Sequence, residues 1–144
     1  MSSSRDNANI ARHIFGSLFT LNAEGEHVPE LAHTLDISDD GTEYVYTLEE
    51  GLTCHDGEAL TAEDAAFSFN RIGDPANRFT GTAPGFVFTS IGFQSAEALD
   101  DLRVQLNPRR TNPIAFRLLT EIPIHCNDSY ECMTLQAAAT NPTA

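Results

Sequence analysis

The sequence contains no lysine and no tryptophan, and only three cysteines among its 144 residues. All eight basic residues are arginines, and they face 21 acidic residues, so the formal net charge is −13. A surface this acidic repels phosphate and anionic lipid, which argues against nucleic acid as a partner and against electrostatic docking on membranes. No apolar run approaches the roughly 20 residues that span a bilayer, so direct membrane insertion is not expected. The first residues lack the basic and apolar parts of a signal peptide, so we expect no signal segment within this chain.

The cysteines are too few for a disulfide scaffold, and their odd number leaves at least one thiol unpaired. Cys126 and Cys132 are close enough in sequence to close a small loop if the compartment is oxidising. A zinc site can be imagined from His125 and the three cysteines, but the Cys126 to Cys132 spacing exceeds the gap of about two to four residues that is usual for zinc. We therefore expect no metal and no other cofactor.

The amino-terminal part predicts a helix over residues 6–18, because Ile10, Ile14, Phe15 and Leu18 fall on one helical face. A short strand over residues 18–21 and a turn over residues 22–25 are expected next. Residues 27–33 are expected to be a connector, bent at its proline.

Residues 34–48 carry the clearest local pattern. Apolar and polar residues alternate on both sides of an Asp-Asp-Gly turn, which predicts a β-hairpin with Gly41 at positive φ. After a second turn at Asp56-Gly57, Thr61 can cap a helix whose apolar stripe ends at Ile72, before Gly73-Asp74-Pro75.

The remaining elements are less regular. Residues 86–93 and 102–106 read as strands separated by a turn at residues 99–101, and residues 114–119 read as a short helix. Hairpin pairing dominates and no regular βαβ alternation appears. The sequence therefore predicts an α+β fold, mostly antiparallel sheet with a few helices.

Candidate chemistry is sparse. His55, Asp56 and Glu58 could be metal ligands or an acid–base pair, but residues this close in a turn seldom converge on one point, so a polar turn is favoured. Asp39 and Asp40 fit the hairpin turn better than a calcium site. Asn127 begins a glycosylation sequon that matters only in a compartment that glycosylates. No catalytic constellation emerges, so an enzyme is not expected.

A long ordered set of residues carries a family resemblance. Its members are Ile14-Phe15-Gly16-Ser17-Leu18, Glu24-Gly25, Pro29-Glu30-Leu31-Ala32, Ser38-Asp39-Asp40-Gly41, Tyr44, Leu48, Gly51, His55-Asp56-Gly57, Leu60-Thr61-Ala62-Glu63-Asp64, Phe67-Ser68-Phe69 and Arg71, with a thinner continuation to about Tyr130. In these positions the chain resembles the family 5 extracellular solute-binding proteins, the peptide/nickel-type receptors of ABC importers. It departs from the family at Cys54, where an aromatic residue is usual, and at Gly16, where peptide-binding members often have an acidic residue.

The resemblance implies a substrate-binding component that captures peptides or similar small solutes in the periplasm or another extracytoplasmic space and delivers them to ABC permease subunits. It implies part of lobe 1 of a two-lobed periplasmic-binding-protein fold, with residues 1–33 in the lobe 1 core, residues 34–144 as its supporting subdomain, and the second lobe absent. The ligand-lining candidates that it suggests are Phe15, Gly16, Ser17, Phe79, Phe86 and Phe88. For Phe88 a core position is the favoured alternative. Two other functions stay open: an acidic protein-interaction module with no transport role, and a receptor of the same family for nickel or another solute.

Overall fold

The structure, a computed structural model, describes residues 14–77, 83–110, 119 and 122–127. Two short strands open it, β1 (Phe19–Leu21) and β2 (His27–Pro29), which pair antiparallel. Between them the Asn22 side-chain oxygen accepts hydrogen bonds from the backbone N–H groups of Glu24 and Glu26, at 3.1 and 2.8 Å, and so closes the predicted turn. The prediction of a mere connector after this turn was wrong for His27–Pro29. The proline ends a two-stranded ribbon, a position where its missing N–H can be tolerated.

The predicted hairpin is confirmed. Strand β3 (Ala32–Ile37) pairs antiparallel with β4 (Tyr44–Leu48), and Gly41 in the turn has φ 67°. The side chains of Tyr44, Tyr46 and Leu48 are buried while the residues between them are partly exposed, which is the alternation that sequence reasoning used.

Two further strands complete this sheet. Strand β5 (Phe93–Ala98) pairs with β6 (Arg103–Pro108), and β6 pairs with β4, so the order is β3-β4-β6-β5 and every pairing is antiparallel. The predicted strand over residues 102–106 and the turn before it are confirmed.

The predicted strand over residues 86–93 was wrong. The chain instead forms a π-helix, Ala83–Phe88, followed by one helical turn, α2 (Thr89–Ile91), and Gly92 ends it at φ 60°. Val87, Phe88 and Ile91 are all buried. Their spacing places them on one face of a helix, although the same short apolar run also fits a buried strand. The strand starts only at Phe93.

The main helix, α1, precedes α2 in the chain and spans Ala62–Gly73. Thr61 caps it, and the Asp64 carboxylate receives the Thr61 backbone N–H at 2.7 Å, which confirms the predicted cap. Phe69 is fully buried, and the Asn70 side chain brackets Ala96 of β5 by accepting from its N–H and donating to its carbonyl at 2.9 and 2.8 Å. Helix α1 is thereby fixed against one face of the four-stranded sheet, and the core lies between them.

The α+β class with a mostly antiparallel sheet is confirmed. The helix predicted over residues 6–18 lies largely outside the described residues, and within them it does not continue through Gly16 and Ser17. The helix predicted over residues 114–119 also lies outside them, apart from Leu119. Among the helices that the structure describes, none is long and apolar enough to cross a bilayer.

Candidate functional site

The candidate residues nearest the amino terminus run beside a segment from the far end of the chain. The backbone carbonyl of Gly16 accepts a hydrogen bond from the Ile124 N–H at 2.9 Å. Leu18, Ile122 and Ile124 are buried around this contact. We call residues 122–127 the docked segment, because three parts of the fold hold it in place.

Phe15 and His125 form the first of these contacts. Their rings meet edge to face, with centroids 4.4 Å apart, and both side chains are buried. Burial of the imidazole, reinforced by the positive charge of Arg71, lowers the pKa of His125 from 6.5 to about 4. The histidine is therefore neutral at physiological pH, and the Phe15 ring packs inside the protein rather than on an open surface.

Gly16 and Ser17 lie against the β2–β3 connection. A Cβ atom at Gly16 would stand 2.9 Å from the Leu31 Cδ1, so the glycine permits close approach of the two segments. Ser17 donates its backbone N–H to the Glu30 carboxylate at 3.0 Å, and its hydroxyl lies 2.6 Å from the same oxygen. Glu30 is exposed, so its carboxylate is held at the surface by Ser17, the residue that follows Gly16 in the chain. Sequence reasoning missed Glu30, because nothing local indicates that it reaches Ser17, 13 residues away.

Helix α1 holds the docked segment through two side chains one turn apart. The Ser68 hydroxyl accepts the His125 N–H at 2.7 Å, and the Asp64 carboxylate accepts the Asn127 N–H at 2.6 Å. Asp64 also binds Thr61, so one buried carboxylate both caps the helix and anchors a segment 63 residues further along the chain. Residues i and i+4 share one helical face, so Asp64 and Ser68 both reach the docked segment.

A disulfide provides the third attachment. Cys54 and Cys126 are bonded, with their Cα atoms 6.2 Å apart and 72 residues between them in sequence. The interpretation that Cys126 pairs with Cys132 does not hold for this structure. Two of the four residues weighed for zinc, Cys54 and Cys126, are thereby bonded to each other and offer no thiolate.

The turn that follows Cys54 is a polar turn, as favoured. The Gly57 N–H donates to the Cys54 carbonyl at 3.0 Å, and the Asp56 side chain accepts the Glu58 N–H at 3.1 Å. His55 is exposed. Within residues 14–77, 83–110, 119 and 122–127, no group of three or more histidine, cysteine or acidic side chains is arranged to hold a metal ion.

The aromatic candidates fall into different environments. Phe88 is buried and meets Phe93 and Phe69 edge to face, with ring centroids 4.6 and 6.4 Å away, so its expected place in the core is confirmed. Phe86, on the π-helix, is 57% exposed. Phe79 lies outside the described residues. The structure thus brings Ser17 together with Glu30, places Gly16 against Leu31 and packs Phe15 on His125.

Comparison with known sequences identifies the class of protein that this architecture belongs to. Residues 26–142 match the sequence model of the bacterial extracellular solute-binding proteins, family 5 Middle. The match extends over most of the chain, so the chain belongs to this family, and the resemblance carried by its motifs is confirmed.

Individual relatives give the same result. The chain is 37% identical over 76 residues to the probable deoxycholate-binding periplasmic protein YgiS of Escherichia coli K12, covering 51% of this chain and 14% of the relative. It is 31% identical over 97 residues to the glutathione-binding protein GsiB of Pectobacterium atrosepticum, covering 67% of this chain and 18% of the relative. The chain therefore spans less than a fifth of the length of these two relatives.

A solved structure agrees in fold. The ABC transporter substrate binding protein CtaP of Listeria monocytogenes superimposes with a TM-score of 0.76 at 31% identity, covering 92% of this chain and 26% of CtaP. The order of helices and strands described above is thus that of one part of a family 5 binding protein.

Proposed function

We propose that this chain contributes to the substrate-binding component of an ABC importer and that its ligand is a peptide or a similar small solute. The observation that carries the proposal is the family match over residues 26–142, together with the 31% identity to an ABC transporter substrate binding protein across 92% of the chain. The family match favours this role over an acidic interaction module. Such a role requires binding and lobe closure but no covalent step.

An extracytoplasmic location, in the periplasm or outside the cell, fits the same proposal. Disulfides persist mainly in oxidising compartments, and the buried Cys54–Cys126 bond is of this structural kind. The relative YgiS is itself named a periplasmic protein. Permease subunits are the protein partners that this role implies.

Gly16 and Ser17 are our candidates for the ligand side of this part of the protein, and the buried Phe15 supports them by packing against His125. Residues 1–33 would belong to the core of one lobe, and residues 34–144 would support it. Gly16 has no side chain to cover its backbone, and Ser17 fixes the exposed Glu30 carboxylate beside it. A carboxylate in this position suits the ammonium group of a peptide through a charge-assisted hydrogen bond. Exposed Phe86 offers an apolar surface for a ligand side chain.

Calorimetry on the complete protein encoded by the gene tests the proposal, with small peptides, glutathione and deoxycholate as ligands. We expect saturable one-to-one binding of at least one peptide. Glu30→Gln is expected to weaken peptides with a free amino terminus by about 10- to 100-fold, the value of a hydrogen bond to a charged group, and to leave amino-acetylated peptides unaffected.

Glu24→Gln is the matched control, since it removes the same charge from an exposed position in the β1–β2 turn. If no peptide binds, the proposed ligand class is wrong. If Glu24→Gln and Glu30→Gln weaken binding equally, the effect comes from net charge and Glu30 is not a contact. The 144-residue chain alone is expected to bind no peptide at micromolar concentration, because a closed cleft needs both lobes.

A further inference from the structure

The two outer strands of the four-stranded sheet differ in how their outer edges are covered. On β5, the Asn70 side chain of helix α1 accepts the Ala96 N–H at 2.9 Å and donates to the Ala96 carbonyl at 2.8 Å. On β3, the Ala32 N–H donates to the Leu18 carbonyl at 3.0 Å. Beyond Ala32, no backbone group of the described residues pairs with the outer edge of β3. Sheet edges of this kind are places where another strand can be added.

The backbone groups at this open edge belong to Leu35 and Ile37. Across the hairpin, the Ser38 N–H donates to the Glu43 carbonyl at 3.0 Å. Because hydrogen-bonded positions alternate along an antiparallel pair, the backbone of Asp36 faces β4, while that of Leu35 and Ile37 faces away from it. The N–H and carbonyl groups of these two residues therefore point outwards, in extended backbone that another strand can join.

The side chains of β3 give the two faces of this edge different chemistry. Leu35 and Ile37 lie opposite the buried Tyr46 and Tyr44, so they extend the apolar face of the sheet to its border. Ile37 is 49% exposed there. The Asp36 side chain is exposed on the other face, because successive residues of a strand point to opposite sides. A strand added here would meet apolar and acidic positions in alternation.

The charge around the edge determines which strand fits it. Between Arg12 and Arg71 the sequence contains 13 acidic residues and no arginine or lysine. Near β3, Asp39 and Asp40 are exposed at the hairpin turn, and Glu49 is exposed just after β4. A second copy of the chain would bring two such acidic edges together, which like-charge repulsion disfavours. A basic strand would be attracted instead.

We propose that the outer edge of β3 binds an extended segment of a partner protein in which lysine or arginine alternates with β-branched apolar residues. The segment pairs through the outward backbone groups of Leu35 and Ile37 and places its apolar side chains beside theirs. Its basic side chains lie beside Asp36 on the opposite face. Binding at this edge does not depend on the ligand proposed for Gly16 and Ser17.

The probe is a short peptide of alternating lysine and valine, acetylated at its amino end and amidated at its carboxyl end. Its blocked amino end cannot make the ammonium contact proposed for Glu30. Amide hydrogen exchange is measured residue by residue on the complete protein encoded by the gene. With free peptide at about ten times Kd, exchange at Leu35 and Ile37 should slow by about tenfold.

Methylation of the peptide backbone tests the pairing itself. The peptide residues opposite Leu35 and Ile37 are the valines, so the valine N–H groups face β3 and the lysine N–H groups face away. Methylation of the valine nitrogens should abolish the slowed exchange at Leu35 and Ile37. Methylation of the lysine nitrogens should preserve it.

A charge reversal tests the position of the basic side chains. At about 0.1 M salt, Asp36→Lys should weaken the lysine–valine peptide by about tenfold and strengthen a glutamate–valine peptide in return, which also shows that the variant is folded. Glu97→Lys is the matched control, because Glu97 is exposed on β5 in the same cross-strand row as Asp36. It lies three strands away, about 14 Å, which exceeds the Debye length of about 10 Å, so its effect should stay below about twofold.

Any of four results would overturn the proposal. Slow exchange at Leu35 and Ile37 without peptide would mean that the complete protein covers this edge itself. Slow exchange that appears only with self-association would make a second copy the occupant. Unchanged exchange at both residues with the lysine–valine peptide would mean that no basic strand is added. Equal effects of Asp36→Lys and Glu97→Lys, or of the two methylated peptides, would show that the attraction is general charge and not pairing with β3.

Discussion

Loss of the Cys54–Cys126 disulfide should lower the free energy of unfolding by about 4 kcal/mol. A cross-link between residues 72 apart removes about 15 cal/mol/K of loop entropy from the unfolded chain, and this amounts to about 4 kcal/mol at 25 °C. A Cys126–Cys132 bond, which closes a loop of about seven residues, would be worth only about 2 kcal/mol on the same scale. The difference is large enough to identify the pairing by stability alone.

The assay is urea unfolding in a Cys132→Ser background, which prevents the alternative bond from forming. Cys54→Ser added to this background should lower the midpoint by about 2 M if the urea dependence is about 2 kcal/mol/M. Reductant should lower the urea midpoint of the Cys132→Ser protein by a similar amount and leave the midpoint of the Cys54→Ser/Cys132→Ser protein unchanged. A shift below about 0.3 M in both comparisons would refute the reasoning, because the bond would then not constrain the unfolded chain.

Three further sets of variants test the contacts of the docked segment and the packing of Gly16 against Leu31. The free energy of unfolding should fall by about 3 kcal/mol in total as pH drops from about 6.5 to about 4. In this range the unfolded chain protonates His125, while the folded protein, whose His125 pKa is about 4, does not. This loss should be missing from His125→Gln, and equal pH profiles for the two proteins would contradict the buried, neutral state of His125. Ser68→Ala should cost about 1 to 3 kcal/mol in urea unfolding, since the His125 N–H would lose its buried acceptor, whereas Ser95→Ala on the sheet surface should cost far less; similar losses from the two would count against the docking role. Gly16→Ala should lower the free energy of unfolding by about 1 kcal/mol or more, because the new Cβ atom meets Leu31. Combined with Leu31→Ala, the loss should be smaller than the sum of the two single losses, and strict additivity would argue against the contact.

Elements that sequence reasoning predicted well are those whose signals are contiguous. The β3–β4 hairpin combines alternation with a turn glycine at positive φ, and α1 combines a Thr61–Asp64 cap with a terminating Gly73 and Pro75, so local chemistry and global fold agree. Strand β2 was missed because three residues ending in proline carry almost no strand pattern. The stretch from Phe86 was assigned to the wrong class because a short apolar run fits a buried strand and a helical face equally well.

The candidate site was harder to predict than the fold. Phe15, Gly16 and Ser17 were identified through a resemblance in sequence order, but their neighbours come from distant parts of the chain. Ser68 meets His125 across 57 residues and Cys54 meets Cys126 across 72, and neither distance leaves a periodic trace in the sequence. The sequence indicated only that Cys126 and Cys132 could close a small loop, which a flexible chain forms more readily than a long one. The folded contacts with α1 outweigh this preference.

Uptake by cells tests the central functional claim most directly. Cells in which the gene is deleted should lose accumulation of a radiolabelled small peptide that the purified complete protein binds, and the intact gene should restore it. Unchanged peptide uptake after deletion, in cells without a second binding protein for the same peptide, would contradict the assignment to an importer.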